Sequence, residues 1–195
     1  VAPGWQEDEF RILGLDHSRR IGRYVESLTL IKRLWMEERV DFSGKHFEAD
    51  GLELALKPVQ QPRPPMWYGG SVAKAVERAA RLSDTSLGDS WVASSHLTEE
   101  VITEQAVLYQ DTLKQLGKPP PREFPLLRNI VVAPDRETAL REAGPFLEAS
   151  YRIFGQWGLF TNVVGSGKAQ LDLEELLAGR VIIGSPEECA EELVR

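Results

Sequence analysis

The stretch from Met66 to Ser71, "MWYGGS", closes a short apolar run with two glycines and a hydroxyl. Immediately after it Val72, Ala75, Val76, Ala79 and Leu82 recur at helical spacing. Glycines at such a junction leave backbone N–H groups uncovered, and the start of a helix adds a partial positive charge at the same point. Gly69, Gly70 and Ser71 together therefore suit an anion, phosphate above all. The glycines also permit a tight strand-to-helix turn, and the local residues alone leave both roles open. Ser71 is the expected N-cap of the helix.

Other reactive residue types carry less. His17, His46 and His96 do not fall at metal-ligand spacing, and no cysteine or carboxylate cluster joins them. His96 follows an apolar run and precedes a capped helix; an exposed loop position is the favoured expectation, a place at the mouth of a site the second. Tyr151, Phe154, Trp157 and Phe160 lie three residues apart, which points first to core packing and second to a lid over substrate. The stretch 163–170, "VVGSGKAQ", lacks the earlier glycine of a phosphate loop and has Ala169 after Lys168, so it reads as a surface loop. The single cysteine, Cys189, has no partner for an internal disulfide and reads as a buried structural thiol.

Composition narrows the function class. A chain of 195 residues that is 42% hydrophobic can bury a sizeable core. Its net charge of -7 gives no Lys/Arg excess for nucleic acid. No apolar run approaches the roughly 20 residues of a membrane span, and no signal-peptide pattern is evident. A reduced cytoplasm is the expected compartment. The chain starts at Val1 in what reads as the tail of a strand and stops at Arg195 inside a helical pattern, so the expectation is one domain over 1–195, incomplete at both ends.

The elements that would position the glycine turn follow from periodicity. A long amphipathic helix is expected from about Ser18 to Glu37, then strands or a hairpin over 40–57 around Ser43-Gly44 and Asp50-Gly51. The stretch "PVQQPRPP" holds four prolines and delivers the chain extended to "MWYGG". The order strand, turn, capped helix then recurs. "DSWVAS" leads through Thr98 into a helix of about 99–116 closed by Gly117, and "LLRNIVVAP" leads through Asp135 into a helix beginning near Arg136. "RVIIG" leads into a capping box of Ser185, Pro186 and Glu188. Alternating strands and helices imply a parallel sheet with right-handed crossovers, hence an α/β fold. The units are too few to close a barrel, and no GxGxxG fingerprint is present.

Six segments taken in order carry a more specific signal: "GWQEDEF" with "LGL" at 4–15, "RRIGRYVESLTLIKRLW" at 19–35, "FSGKHF" at 42–47, "KPVQQPRPPMWYGGS" at 57–71, "AARLSD" at 79–84 and "IIGSPEECAEEL" at 182–193. Together they resemble the luciferase-like monooxygenase superfamily of flavin- and F420-dependent oxidoreductases. The resemblance implies a (β/α)8 TIM barrel, here a partial one from about the end of strand four to the helix before strand eight. It implies that Gly69, Gly70 and Ser71 end the fifth strand and hold the cofactor phosphate through backbone amides. It makes Ser90 and Trp91, on the sixth strand, weaker candidates for flavin contact, and it matches a family aspartate to either Asp84 or Asp89.

The function so implied is a flavin-dependent monooxygenase using reduced FMN and O2 on a small organic substrate, with no catalytic residue assigned in this stretch. Two alternatives stand beside it. One is an F420-dependent hydride-transfer oxidoreductase, for which Lys74 and Arg78 would supply the added basic residues. The other is a non-catalytic flavin-binding barrel module. The expected partners are substrate and flavin, with no nucleic acid and no membrane. Because a half-barrel exposes two sheet edges, the chain is expected to be stable beside further strands or a second copy, and a homo-oligomer fits that expectation.

Overall fold

Strand-to-helix alternation sets the architecture of the computed structural model, which describes residues 1–156 and 172–194. Trp157, Phe160 and the 163–170 stretch lie outside these residues. The chain opens with α1 (Glu7–Ile12) and a single 3-10 turn, then the long helix α2 (Arg20–Met36). An antiparallel hairpin of β1 (Val40–Ser43) and β2 (Glu48–Leu52) follows, as the Ser43-Gly44 turn predicts.

Four strand-helix units come next. β3 (Trp67–Gly69) leads into α3 (Ala73–Leu82), and β4 (Ser90–Val92) into α4 (Glu99–Gln115). β5 (Asn129–Val132) precedes α5 (Arg136–Gln156), then α6 (Leu173–Leu177), and β6 (Val181–Gly184) precedes α7 (Pro186–Val194). The cap residues act as expected. The Thr98 side chain accepts from Val101 N–H, and Gly117 takes a left-handed φ of 67° just past α4. Asp135 Oδ1 accepts from Thr138 N–H at 2.7 Å. Ser185 and Glu188 close a reciprocal box, with Ser185 N–H to Glu188 Oε2 at 2.7 Å and Glu188 N–H to Ser185 Oγ at 3.2 Å.

The strands run parallel. β3 pairs with β4, β5 pairs with β6, and Ala93 bridges to Leu126 on the approach to β5. On the other side of β3, the Val1 amino group donates to Trp67 O at 2.7 Å and Gly69 N–H donates to Val1 O at 2.8 Å. Val1 thus lies alongside β3 in the manner of a neighbouring chain segment. The lateral order is the Val1 segment, β3, β4, β5, β6, an arc of a parallel barrel with helices outside it. Counting β3 as the fifth strand makes β6 the eighth, so the chain runs on through strand eight and its following helix α7.

Two apolar clusters hold the arc. One joins Met66, Tyr68, Trp91 and Ala93 to Leu28 of α2, Val76, Ala79 and Ala80 of α3, and Tyr109 and Leu113 of α4. The other joins Val181 and Ile183 to Ala139 and Tyr151 of α5 and Leu177 of α6. Small residues on α3 let the helix lie close against β3 and β4. Cys189 is buried, its thiol 3.6 Å from Val131 O.

Candidate anion-binding site

β3 ends at Gly69, and the chain reaches α3 through Gly70, Ser71 and Val72. The N-cap is Val72, not Ser71. Its backbone is extended, and its carbonyl accepts the first turn from Ala75 N–H (2.8 Å) and Val76 N–H (3.1 Å). Valine has no side-chain acceptor, so no side chain among the described residues caps the leading N–H groups. The helix starts later than the sequence suggests because the Ser71 carbonyl is held elsewhere, by the Gln105 amide at 2.8 Å.

The charge distribution along α3 is one-sided. α1, α4, α5, α6 and α7 each carry Asp or Glu in the first turn, whereas α3 has none. α2 also lacks one, but it continues directly from a 3-10 turn. At the other end of α3, Lys118 Nζ donates to the carbonyls of Ala80, Arg81 and Ser83, and Lys32 Nζ donates to Leu82 O. Cations thus complement the negative end while the positive end carries no acidic residue of its own; a charge at either end of a helix interacts with it by about 0.3–2 kcal/mol. Lys74 is exposed and Arg78 half-buried on the first two turns, adding positive charge near the same end.

The two glycines differ. A Cβ at Gly70 would lie 2.5 Å from the Ala75 Cβ, so only hydrogen fits where α3 folds back over the turn. A Cβ at Gly69 would meet Ala2 at an ordinary 3.5 Å. The Gly69 N–H is occupied by Val1 O, which removes it from the donors an anion can use. The available donors are therefore those from Gly70 onward together with the Ser71 hydroxyl. That set fits a phosphate: donors and cations without a competing carboxylate.

Ser90 and Trp91 are fully buried in the layer between strands and helices. Trp91 packs edge-on against Phe124 and tilted against Tyr109. Its indole N–H donates to Gly70 O at 2.8 Å. The structure thus ties Trp91 to the turn through Gly70, while Ser90 Oγ donates to Trp91 O and lies beside the Tyr109 hydroxyl. Gln105, at the middle of α4 and 34 residues from Ser71, carries no local sequence signal that would have singled it out.

The opposite end of the same strands holds a buried charge network. Asp89, just before β4, accepts from Arg63 Nη1 and Nη2, Met66 N–H, Asp84 N–H and Tyr68 OH, and Lys32 Nζ lies 3.3 Å away. Burial works against the Asp89 carboxylate, but the Arg63 hydrogen bonds, the two N–H groups and the Lys32 charge outweigh it and hold its pKa down to about 2. Burial and the Asp89 charge push the Tyr68 hydroxyl up, which keeps it a donor. Of the two aspartates, Asp89 is the one built into the strands. This cluster sits where barrels place stability rather than chemistry.

His96 is buried, not exposed as expected. Phe154 of α5 covers its ring at 6.3 Å, and Arg180 Nε donates to its carbonyl at 3.1 Å. Its Nδ1 pairs with Ser94 Oγ at 2.9 Å, and its Nε2 has no hydrogen-bond partner among the described residues. Burial, aided by the Arg180 charge, lowers its pKa.

Two surface clefts are lined by residues other than those of the glycine turn, the smaller one including Val1 and Ala2, which touch Gly69. One of about 780 Å³ is lined by Trp5, Arg11, Asp16, His17 and Gln156, and one of about 310 Å³ runs between the Val1–Pro3 stretch and α2 past Phe10, Arg20, Arg23 and Tyr24. A phosphate site needs donors and positive charge rather than enclosed volume, so the turn is the better candidate for anion binding. Among the described residues no group of three or more His, Cys, Asp or Glu could hold a metal ion, and no helix is long and apolar enough to cross a membrane.

Comparison with known proteins places this geometry. The fold is similar to that of the monooxygenase RslO1 from Streptomyces bottropensis, at TM-score 0.77 and 20% identity over 99% of this chain and 55% of that one. It is similar to the FMN-bound oxygenating constituent of 3,6-diketocamphane monooxygenase from Pseudomonas putida, a type II Baeyer-Villiger enzyme, at TM-score 0.69 and 17% identity over 98% and 58%. An F420-dependent secondary alcohol dehydrogenase, solved with an F420-acetone adduct, matches at TM-score 0.67 and 20% identity over 100% and 58%. The chain spans a little over half the length of these structures. A family model for luciferase-like monooxygenases matches residues 1–195 from end to end. The partial α/β barrel and its uncapped, acid-free α3 therefore belong to a member of the luciferase-like monooxygenase family.

Proposed function

We propose that this chain is part of a flavin-dependent monooxygenase that uses reduced FMN, with the cofactor phosphate at the start of α3. The observation that carries the site is that α3 has neither a side-chain cap nor an acidic residue in its first turn, whereas its C-terminal end is complemented by Lys118 and Lys32. Family membership over residues 1–195 supports the cofactor class.

When bound, reduced flavin would supply the electrons that activate O2 for insertion into an organic substrate. The chain's own part is binding and orientation. N–H groups from Gly70 onward and the Ser71 hydroxyl would hold the phosphate, and Lys74 and Arg78 would add charge from the flank. Gly70 lets α3 close against β3, which brings the helix start to the C-terminal end of the strand. The Asp89 network acts at a distance by fixing the ends of β3 and β4 from below.

A second reading, hydride transfer with F420, is supported by Lys74 and Arg78 themselves, since F420 also carries a phosphate and a further anionic tail. One substitution tests the site for either cofactor. Ala73→Asp puts a carboxylate into the first turn of α3, where it should stabilise the helix by about 0.5 kcal/mol while repelling phosphate. Titrating FMN and F420 into the full-length protein should show saturable binding of one of them, weakened about tenfold or more by Ala73→Asp with no loss of melting temperature. Unchanged affinity in the variant would remove the phosphate from α3.

A further inference from the structure

Two adjacent carbonyls of the glycine turn are held by side chains from two different elements. The Trp91 indole on β4 donates to Gly70 O, and the Gln105 amide on α4 donates to Ser71 O, each at 2.8 Å. Both peptides that follow are trans, the Gln61–Pro62 bond being the cis bond of the described chain. In a planar trans peptide the N–H points opposite to the C=O. Anchoring the Gly70 carbonyl on Trp91 therefore turns the Ser71 N–H away from Trp91. Anchoring the Ser71 carbonyl on Gln105 turns the Val72 N–H away from Gln105.

The Gln105 anchor is kept at a cost. Its Oε1 is buried and has no hydrogen-bond partner among the described residues, and leaving a buried acceptor unsatisfied is unfavourable. Trp91 is likewise sealed on the other side of the turn, with its ring locked by Tyr109 and Phe124. The Trp91 indole has no second N–H for a ligand, its one donor being spent on the turn.

We propose that Trp91 and Gln105 are positioning residues for the phosphate site: they pin the Gly70 and Ser71 carbonyls so that the Ser71 and Val72 N–H groups face the cofactor phosphate. This rests on the phosphate reading given above. The pinned turn is preorganised, so binding need not order it.

The test compares FMN with riboflavin, which lacks the phosphate, in the full-length protein. Trp91→Phe removes the indole donor and keeps an aromatic ring against Tyr109 and Phe124; Gln105→Met removes the amide and keeps the length of the side chain. A merely structural loss weakens both ligands alike, whereas a misoriented turn weakens FMN alone. The wild-type protein should prefer FMN over riboflavin, and each folded variant should lower that preference about tenfold or more, one charge-assisted hydrogen bond's worth. If Trp91→Phe fails to fold by circular dichroism, Gln105→Met decides. Folded variants that keep the wild-type preference overturn the positioning role and leave the phosphate site standing. A wild-type protein that binds riboflavin as tightly as FMN overturns the phosphate site, and the positioning role with it.

Discussion

Arg63 and Asp89, 26 residues apart in sequence, are joined by two parallel hydrogen bonds of 2.8 Å with both side chains sealed from solvent. Two-pronged geometry and four further partners on the carboxylate offset the cost of burying the charges. Removing one partner leaves the other uncompensated. Asp89→Asn should therefore destabilise the protein by about 3–5 kcal/mol, read as a lower urea midpoint. A loss below about 1 kcal/mol would show that the pair is not sealed as described.

The same network predicts acid behaviour. Asp89 has a folded pKa of about 2 against an ordinary 3.8, so the unfolded chain takes up its proton first as pH falls. The associated stability, about 2 kcal/mol, is complete above pH 3.8 and is lost as pH falls towards 2. His96 adds an earlier step of the same sign. Its folded pKa lies below 6.5, so stability present above pH 6.5 declines as pH falls through the lowered value. Urea midpoints measured from pH 8 to pH 2 should fall in these two stages, and His96→Phe should flatten the first while leaving the second.

The glycines can be separated by one methyl group each. Gly70→Ala forces its Cβ into Ala75 and should cost about 1–3 kcal/mol as α3 shifts, with weaker FMN binding following from the displaced turn. Gly69→Ala meets Ala2 at ordinary contact and should leave the melting temperature almost unchanged. Equal effects from the two would mean that the turn, not the approach of α3, sets the requirement for glycine.

At the last unit, Ser185→Ala removes one half of the box that starts α7. A loss of about 1 kcal/mol is expected, with amide exchange rising first in the opening turn of α7, where N–H protection depends on the cap. FMN affinity should not move, because the helix start that we assign to phosphate is on α3.

Local residues determined most of the architecture. The spacing of Val72, Ala75, Val76 and Ala79, the caps at Thr98, Asp135 and Ser185 and the turn at Ser43-Gly44 act over a few residues, so their outcome was legible before any fold was known. The ordered segments of the chain likewise carried the family and the partial barrel. Tertiary structure decided what depends on groups distant in sequence. Ser71 lost the cap role because Gln105 holds its carbonyl, the Gly69 N–H went to Val1, and Trp91 turned inward to hold Gly70. His96 was buried by Phe154 and Arg180, and Arg63, lying among prolines, found Asp89 across 26 residues. A buried hydrogen bond or charge must be satisfied by whatever the fold brings alongside it, and no local pattern encodes that neighbour.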